Sequence, residues 1–249
     1  MPKFLPRFFA VLVVFFIALA PSFAQRWDKV TIGEPYNSNY WLDVFFLPTN
    51  PNLGWVCGYQ GMVIRTVDGG NTWQGTKVNS LPEIQLESIH FPTQNVGYTS
   101  GSKWVFKSTN GGATWTEVTP PDAMNIWGCY FWSADTGVVL GGGCGSTQNF
   151  YRTTNGGLTW TDTMMNVSNS GLTDAILYSG DGLGYAVSSG WLWRTLNGGV
   201  SWTQFMSTGE KFWHEEITRV GQSFLLPVAG QSCSGAGSGG GGANAQDAS

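Results

Sequence analysis

Several carboxylates recur at one kind of place in this sequence. Asp43, Glu87, Asp174 and the neighbours Glu215 and Glu216 each stand near the start of an apolar, alternating stretch. Glycoside hydrolysis needs two carboxyl groups about 5–9 Å apart, one to give a proton and one to act as base or nucleophile. A ring of carboxylates also suits a hard cation. The sequence does not cluster them, so the simpler expectation is solvated acids at strand ends or at a channel rim. His90 and His214, the only histidines, fall in different segments, without Cys or acid partners at metal-ligand spacing. We therefore expect no catalytic residue, no metal and no cofactor.

Cys57, Cys129, Cys144 and Cys233 are the four cysteines. Four allow three pairings. Cys129 and Cys144 sit in adjacent stretches that fold about a turn at residues 134–137, so they are the expected disulfide, with buried thiols as the alternative. Trp41, Trp127 and Trp213 stand near the same stretch starts as the acids. With Asp43, Glu87 and Asp174 they form a candidate binding rim for sugars or peptide side chains, core packing being the alternative.

The elements that would position these groups are written as a repeat. RTVDGGNTWQ at 65 returns as KSTNGGATWT at 107, RTTNGGLTWT at 152 and RTLNGGVSWT at 194. The tryptophans, Trp73, Trp115, Trp160 and Trp202, are spaced 42, 45 and 42 residues apart. A period near 40–45 marks a β-propeller blade. Each unit opens with an apolar alternating strand: LDVFFL (42–47), LESIHF (86–91) or LTDAIL (172–177). A turn carrying Gly54, Gly97, Gly137 or Gly184 follows. A second strand comes next, then a third: MVIRT, WVFKS, NFYRT or WLWRT. A fourth strand leaves from the Trp. The fold class is all-β: a β-propeller of four-stranded antiparallel blades, with four complete repeats and a partial fifth.

The repeated turns, at 66–73, 108–115, 153–160 and 195–202, have a physical logic. Asp68, Asn110, Asn155 and Asn197 accept bonds from backbone N–H groups a few residues on. The glycine pairs ending in Gly70, Gly112, Gly157 and Gly199 supply positive φ without a Cβ penalty. Thr72, Thr114, Thr159 and Ser201 tie the turn by their hydroxyls. The tryptophans are expected to pack on their own blade or the next.

This pattern, Ser/Thr-x-Asp/Asn-Gly-Gly-x-Thr/Ser-Trp, resembles the Asp-box or BNR repeat of sialidases and sortilin-type receptors. The longer stretch GWVCGYQGMVIRTVDGGNTW resembles the photosystem II assembly/stability factor type of propeller, which also occurs in secreted bacterial proteins. The resemblance covers residues 27 to about 230. It implies a propeller and, less specifically, a binding or assembly role. A sialidase would need converging arginines. Arg65, Arg152 and Arg194, with Lys107 in the same slot, stand in equivalent places of separate blades, which point outward in parallel.

The ends complete the reading. Residues 1–24 have the form of a secretory signal peptide: Lys3 and Arg7, an apolar run from Phe8 to Ala20, and small residues at Ser22 and Ala24. Cleavage is expected after Ala24, an uncleaved anchor being the alternative. Losing Lys3 and Arg7 takes the basic count from 12 to 10 against 16 acids, a net charge near −6. Acidic, with no membrane span left, such a chain is a poor nucleic-acid binder. WDKV at 27–30 looks like a blade's last strand. Propeller repeats are expected over 25–230, with residues 231–249 a disordered Gly/Ser-rich tail. The expectation is a piece of a six- or seven-bladed ring, a compact five-bladed ring being the alternative. The function read from this is an exported, non-enzymatic binding or assembly module, secreted, periplasmic or on the cell surface, for a protein or cell-surface glycan. The alternative is a glycoside hydrolase using acids near the channel.

Overall fold

The computed structural model describes residues 31–81, 84–142, 149–163, 172–177, 182–188, 191–207, 212–214, 217–220, 223–232 and 243–246. The signal-like segment, WDKV, Cys144, Cys233, Glu215 and Glu216 lie outside them.

The chain is a β-propeller of four-stranded antiparallel blades. Blade 1 comprises β1 (Trp41–Phe46), β2 (Gly54–Gly58), β3 (Met62–Thr66) and β4 (Gln74–Lys77). Blade 2 comprises β5 (Ser88–His90), β6 (Gly97–Gly101), β7 (Trp104–Ser108) and β8 (Thr116–Glu117). Blade 3 comprises β9 (Ile126–Phe131), β10 (Gly137–Gly141), β11 (Asn149–Thr153) and β12 (Thr161–Asp162). Blade 4 comprises β13 (Leu172–Leu177), β14 (Gly184–Ser188), β15 (Trp191–Thr195) and β16 (Thr203–Ser207). In each, strands pair in sequence order as a meander. The first strands line up, β1 beside β5, β5 beside β9, β9 beside β13 and β13 beside β17 (Phe212–His214).

The third strands fall where the sequence puts them, and each fourth strand starts one residue past its tryptophan. The second strands begin one residue earlier than expected, because Gly54, Gly97, Gly137 and Gly184 are strand residues and not turn residues. Their smallness has a purpose. Gly54, Gly137 and Gly184 are paired across the hairpin with the last position of the first strand, Phe46, Phe131 and Leu177. A Cβ on Gly97 or Gly137 would fall inside the ring of Phe91 or Phe131. The glycine is the seat on which an aromatic ring lies flat.

Those rings hold blade to blade. Trp55 in β2 stacks on Phe91 at 3.6 Å and 5° between planes. Tyr98 in β6 stacks on Phe131 at 3.4 Å and 1°. Phe91 and Phe131 are buried, as are Ile89 and Cys129, two residues before them. Burial of such rings is worth about 2–3 kcal/mol each from area alone, with about 0.5–1.5 kcal/mol more from the stacked pair.

A fifth sheet follows. The long strand β19 (Ser223–Ser232) pairs on one side with β17 and with β18 (Thr218–Val220), and on the other with β20 (Ala243–Gln246). A partial fifth repeat ending near residue 230, with a disordered tail from 231, was expected here. The structure instead runs the second strand to Ser232 and pairs Ala243–Gln246 with it as a third. The first strand is split between β17 and β18. Low sequence complexity hides strand pairing because the backbone, not the side chains, makes the ladder. For β13 and β17–β20 the description is of backbone only.

Candidate functional site

At the Asp-boxes, four turns share one hydrogen-bond pattern. Its hub is the buried hydroxyl that opens the motif: Thr66, Ser108, Thr153 or Thr195. Each hydroxyl donates to the Asp or Asn two residues on, at 2.7 Å to Asp68, 3.0 Å to Asn110 and Asn155, and 2.8 Å to Asn197. Each also accepts the N–H of the second glycine, Gly70, Gly112, Gly157 or Gly199, at 2.8–3.0 Å. The Asp or Asn oxygen accepts the N–H of Thr72, Thr114, Thr159 or Ser201 at 2.9–3.0 Å. In blade 1 the Thr72 hydroxyl donates to Asp68 Oδ2 at 2.6 Å, whereas Asn110 Nδ2 donates to the Thr114 hydroxyl at 2.8 Å. The direction of that bond reverses with the amide. The Thr72 hydroxyl and N–H, then Thr66, hold the Asp68 carboxyl at about 2, below its usual 3.8. Every turn glycine in the boxes has positive φ, from 64° at Gly198 to 92° at Gly70.

Of the two places expected, own blade or the next, Trp73, Trp115 and Trp160 take their own, and Trp160 and Trp202 also contact the preceding blade. Trp73, Trp115 and Trp160 meet Phe46, Phe91 and Phe131 of their own blades edge-on. Trp202 meets Phe150 of blade 3 at 4.8 Å. Trp160 Nε1 donates to the Val118 carbonyl of blade 2 at 2.8 Å. The indole follows the chain as it turns back from the box, which brings it against the seam already formed.

The carboxylate singled out for chemistry is used to join blades. Asp43 Oδ2 accepts the N–H of Ile89, in the first strand of blade 2, at 2.8 Å, and Oδ1 accepts the Val44 N–H at 2.7 Å. Ser88, which stands where Asp43 does in its own blade, accepts the Cys129 N–H of blade 3 at 3.3 Å. His90 Nδ1 accepts the Phe131 N–H at 3.4 Å. First strands of neighbouring blades do not pair as a sheet, so side chains supply the acceptors their N–H groups need. His90 lies between the rings of Phe45 at 4.7 Å and Tyr130 at 4.4 Å. Burial holds its imidazole down at about 4.

The rest of the rim is distributed. Glu87 is half-buried just ahead of β5, its N–H donating to the Ser100 carbonyl at 2.7 Å. Trp41 opens β1, and Trp127 in β9 donates from Nε1 to the Gly142 carbonyl. Asp174 is in β13 opposite Val187, and Trp213 in β17 opposite Ala229. Their side chains are outside the description. Cys129 is buried, with Sγ 3.7 Å from Ser88 Oγ and 3.8 Å from the Tyr98 carbonyl. Cys144, its expected partner, lies outside the described residues. Burial, more than the nearby Asp43, pushes the Cys57 thiol up. Among the described residues, no group of three or more His, Cys, Asp or Glu is placed to hold a metal ion.

The end of the blades where first strands begin also carries apolar groups that the sequence reading did not pick out. Tyr40, just before β1, is 73% exposed, and its ring lies 5.5 Å from that of Tyr59, just after β2. Leu81 and Met124 are exposed on the loops that lead toward β5 and β9. Lys103 Nζ lies 4.6 Å over the Trp104 ring at the start of β7. Antiparallel order puts all these positions at one end of the blades. The signal for them was weak, since an exposed aromatic in a loop has no periodicity to mark it.

Four-stranded blades, each closed by the same Asp/Asn-Gly-Gly turn and keyed by stacked rings, define a BNR-repeat propeller. The chain belongs to the family of the photosynthesis system II assembly factor YCF48, whose model matches residues 20–211. The photosystem II assembly protein Ycf48 of Synechococcus sp. (strain JA-2-3B'a(2-13)) is 29% identical over 111 residues, 44% of this chain and 32% of that protein. Across the curated relatives, the matched stretch covers 19% to 32% of their own length. A solved structure, YCF48 bound to D1 peptide, superposes with a TM-score of 0.58 at 18% identity, over 77% of this chain and 63% of that one. An ancestral GH74 enzyme superposes with a TM-score of 0.63 at 17% identity, over 80% of this chain and 29% of that one. At these identities the superpositions speak to the fold alone.

Proposed function

We propose that this chain is an exported, non-enzymatic propeller module that binds a segment of a protein partner. The reading rests on one observation above others: polar groups of the inner strands are engaged in joining blades. Asp43 takes the Ile89 N–H, Ser88 the Cys129 N–H and His90 the Phe131 N–H. A carboxylate that accepts two backbone N–H groups is held in place between blades, which does not suit a group that must move a proton to and from a substrate. The blade end with Tyr40, Tyr59, Leu81 and Met124 offers aromatic and apolar contact area, as peptide-binding surfaces do. The relative bound to a D1 peptide supports a polypeptide ligand for the family. Export is supported by Lys3, Arg7 and the apolar run after them. None of the described helices is long and apolar enough to cross a membrane.

The test is direct titration of the purified chain with a panel of peptides from exported and membrane proteins, alongside a panel of polysaccharides. Saturable peptide binding that weakens at least tenfold in Tyr40→Ala or Met124→Ala is the expected result. Saturable binding of a glycan alone would move the partner class to the cell surface. Sugar release that Asp43→Asn abolishes would overturn the reading in favour of a glycoside hydrolase.

A further inference from the structure

The sequence holds three Asn-Gly dipeptides, Asn110-Gly111, Asn155-Gly156 and Asn197-Gly198, and each stands in an Asp-box turn. Asn-Gly is chemically labile. The glycine N–H loses its proton to solvent, and its nitrogen attacks the asparagine Cγ. The N–Cγ bond forms, the Cγ–Nδ2 bond breaks, and Nδ2 takes up a proton and leaves as ammonia. Water then opens the succinimide at either carbonyl, leaving aspartate or isoaspartate. Glycine favours the attack because no Cβ hinders the approach. Closure of a small ring within one chain brings the reacting atoms together.

In the folded box both reacting groups are already engaged. The glycine N–H donates to a carbonyl in the loop between the first and second strands of its own blade: Gly111 to Asn95 at 2.8 Å, Gly156 to Asp135 at 2.7 Å and Gly198 to Gly182 at 2.8 Å. The carboxamide is fixed at both ends. Its oxygen accepts the N–H of Thr114, Thr159 or Ser201, and its Nδ2 donates to the hydroxyl of the same residue at 2.8–2.9 Å. In two boxes an arginine of the preceding blade holds the glycine carbonyl, Arg65 Nη1 on Gly111 at 3.4 Å and Arg152 Nε on Gly198 at 2.7 Å. The loop that supplies the acceptor is itself shaped by a hydroxyl. Thr93 Oγ1 accepts the N–H of Asn95 at 3.3 Å and of Val96 at 2.9 Å. Ser133 Oγ accepts the N–H of Asp135 at 3.3 Å and of Thr136 at 3.0 Å. Asn110 and Asn197 are exposed and Asn155 is half-buried, so water reaches the turns. What the fold withholds is the nucleophile.

We propose that Asn110, Asn155 and Asn197 are latent modification sites, deamidated by this route when the loop beside each box releases the glycine N–H, and that Thr93 and Ser133 are the positioning residues that keep the first two shut. Reaction through a locally opened state runs at the open chain's rate multiplied by the open fraction, so each blade sets its own pace. The aspartate product already has a place in the fold. Blade 1 carries Asp68 at this position, with the Thr72 hydroxyl donating to it, and its Gly69 N–H is held in the same way by the Asn52 carbonyl at 3.0 Å. Isoaspartate carries the chain through its former side chain and lengthens the turn, so it has no counterpart among the four boxes. The boxes lie at the opposite end of the blades from the surface invoked for the proposed function, so neither assignment depends on the other.

The test is incubation of the full chain in mildly alkaline buffer, with and without denaturing guanidinium chloride, followed by peptide mapping in the mass spectrometer. The expected result is conversion at all three asparagines in denaturant, and conversion at least tenfold slower in the folded chain. Thr93→Ala is expected to speed conversion at least threefold at Asn110 but not at Asn155. Ser133→Ala is expected to do so at Asn155 but not at Asn110, with circular dichroism unchanged in both. The two variants are independent, so either decides alone. No conversion in denaturant would overturn the sites. Equal rates with and without denaturant would overturn the gate. So would a rise shared by all three asparagines in a variant of native circular dichroism, or no rise in either variant. Asn110→Asp supplies the remaining arm. It is expected to fold like the parent, and loss of the native circular dichroism would show that the box does not take the product.

Discussion

The ring of Phe91 lies 3.6 Å from that of Trp55 and within 5° of parallel, although the two residues belong to different blades. Phe91 can lie so flat because Gly97 sits beneath it with no Cβ in the way. Three residues thus make one joint: a bare backbone, a ring laid on it, and a second ring from the blade before. Phe91→Ala removes the middle layer and leaves a cavity at the seam. We expect a loss of about 3–5 kcal/mol, measured as a lowered urea midpoint. Phe131→Ala, at the seam of blades 2 and 3, is expected to cost a similar amount.

Asp43 separates a structural acid from a catalytic one. Asp43→Ala leaves the Ile89 N–H without its acceptor and is expected to cost roughly 1–3 kcal/mol. Asp43→Asn keeps an oxygen at the same place and is expected to cost less than about 1 kcal/mol. Paired denaturation curves for the two variants check the order. Equal losses would show that the carboxylate's charge, not its acceptor geometry, matters.

His90 gives the fold an acid-sensitive seam. Its imidazole is held at about 4 when folded, against 6.5 ordinarily. The unfolded chain therefore takes up a proton near pH 6.5, and the folded chain resists it until about 4. Stability from this group is full above pH 6.5, falls as pH drops from 6.5 to 4, and levels off below. The loss is on the order of 3 kcal/mol. His90→Phe matches the Phe45 beside it and is expected to flatten that part of the stability–pH curve, at the expense of the Phe131 N–H contact. A curve of unchanged slope in His90→Phe would assign the acid sensitivity elsewhere.

Asp68 acts lower on the scale. With the folded carboxyl at about 2, its contribution is present above the ordinary value of 3.8 and is lost as pH falls through about 2. Asp68→Asn copies the residue used by the other three boxes, with the amide donating to Thr72 as Asn110 does to Thr114. We expect this variant to fold with the same circular dichroism and to lose less stability than the parent between pH 4 and pH 2. Thermal melts across that range check it.

Much of the fold was legible because the repeat is spelled in residues with few other uses. The runs MVIRT, WVFKS, NFYRT and WLWRT lie on their strands to the residue, since a strand that enters a two-glycine turn has its end fixed by that turn. What escaped notice was chemistry that depends on a neighbour. Gly54, Gly97 and Gly137 read as turn residues, because glycine at the edge of an apolar run usually is one. Only the aromatic opposite, laid over the missing side chain, explains them. Asp43 read as a possible acid because its acceptor role needs Ile89, 46 positions on. Thr66 and its counterparts stood in the motif without a role, since Ser and Thr in strands are common, and only the turn's geometry makes them a hub. The aromatic pair Tyr40 and Tyr59 is brought together by pairing of β1 with β2 and carries no mark in the sequence.

The polar seam contacts made from the first and third strands run in one direction. Asp43 reaches forward to Ile89, Ser88 to Cys129, Arg65 to Gly111, and Arg152 to Gly198. Each blade thus ends with a plug and begins with a socket of matching kind. Adding or deleting one unit in frame leaves a plug facing a socket, so the gene can lengthen or shorten by whole units without inventing a new fit.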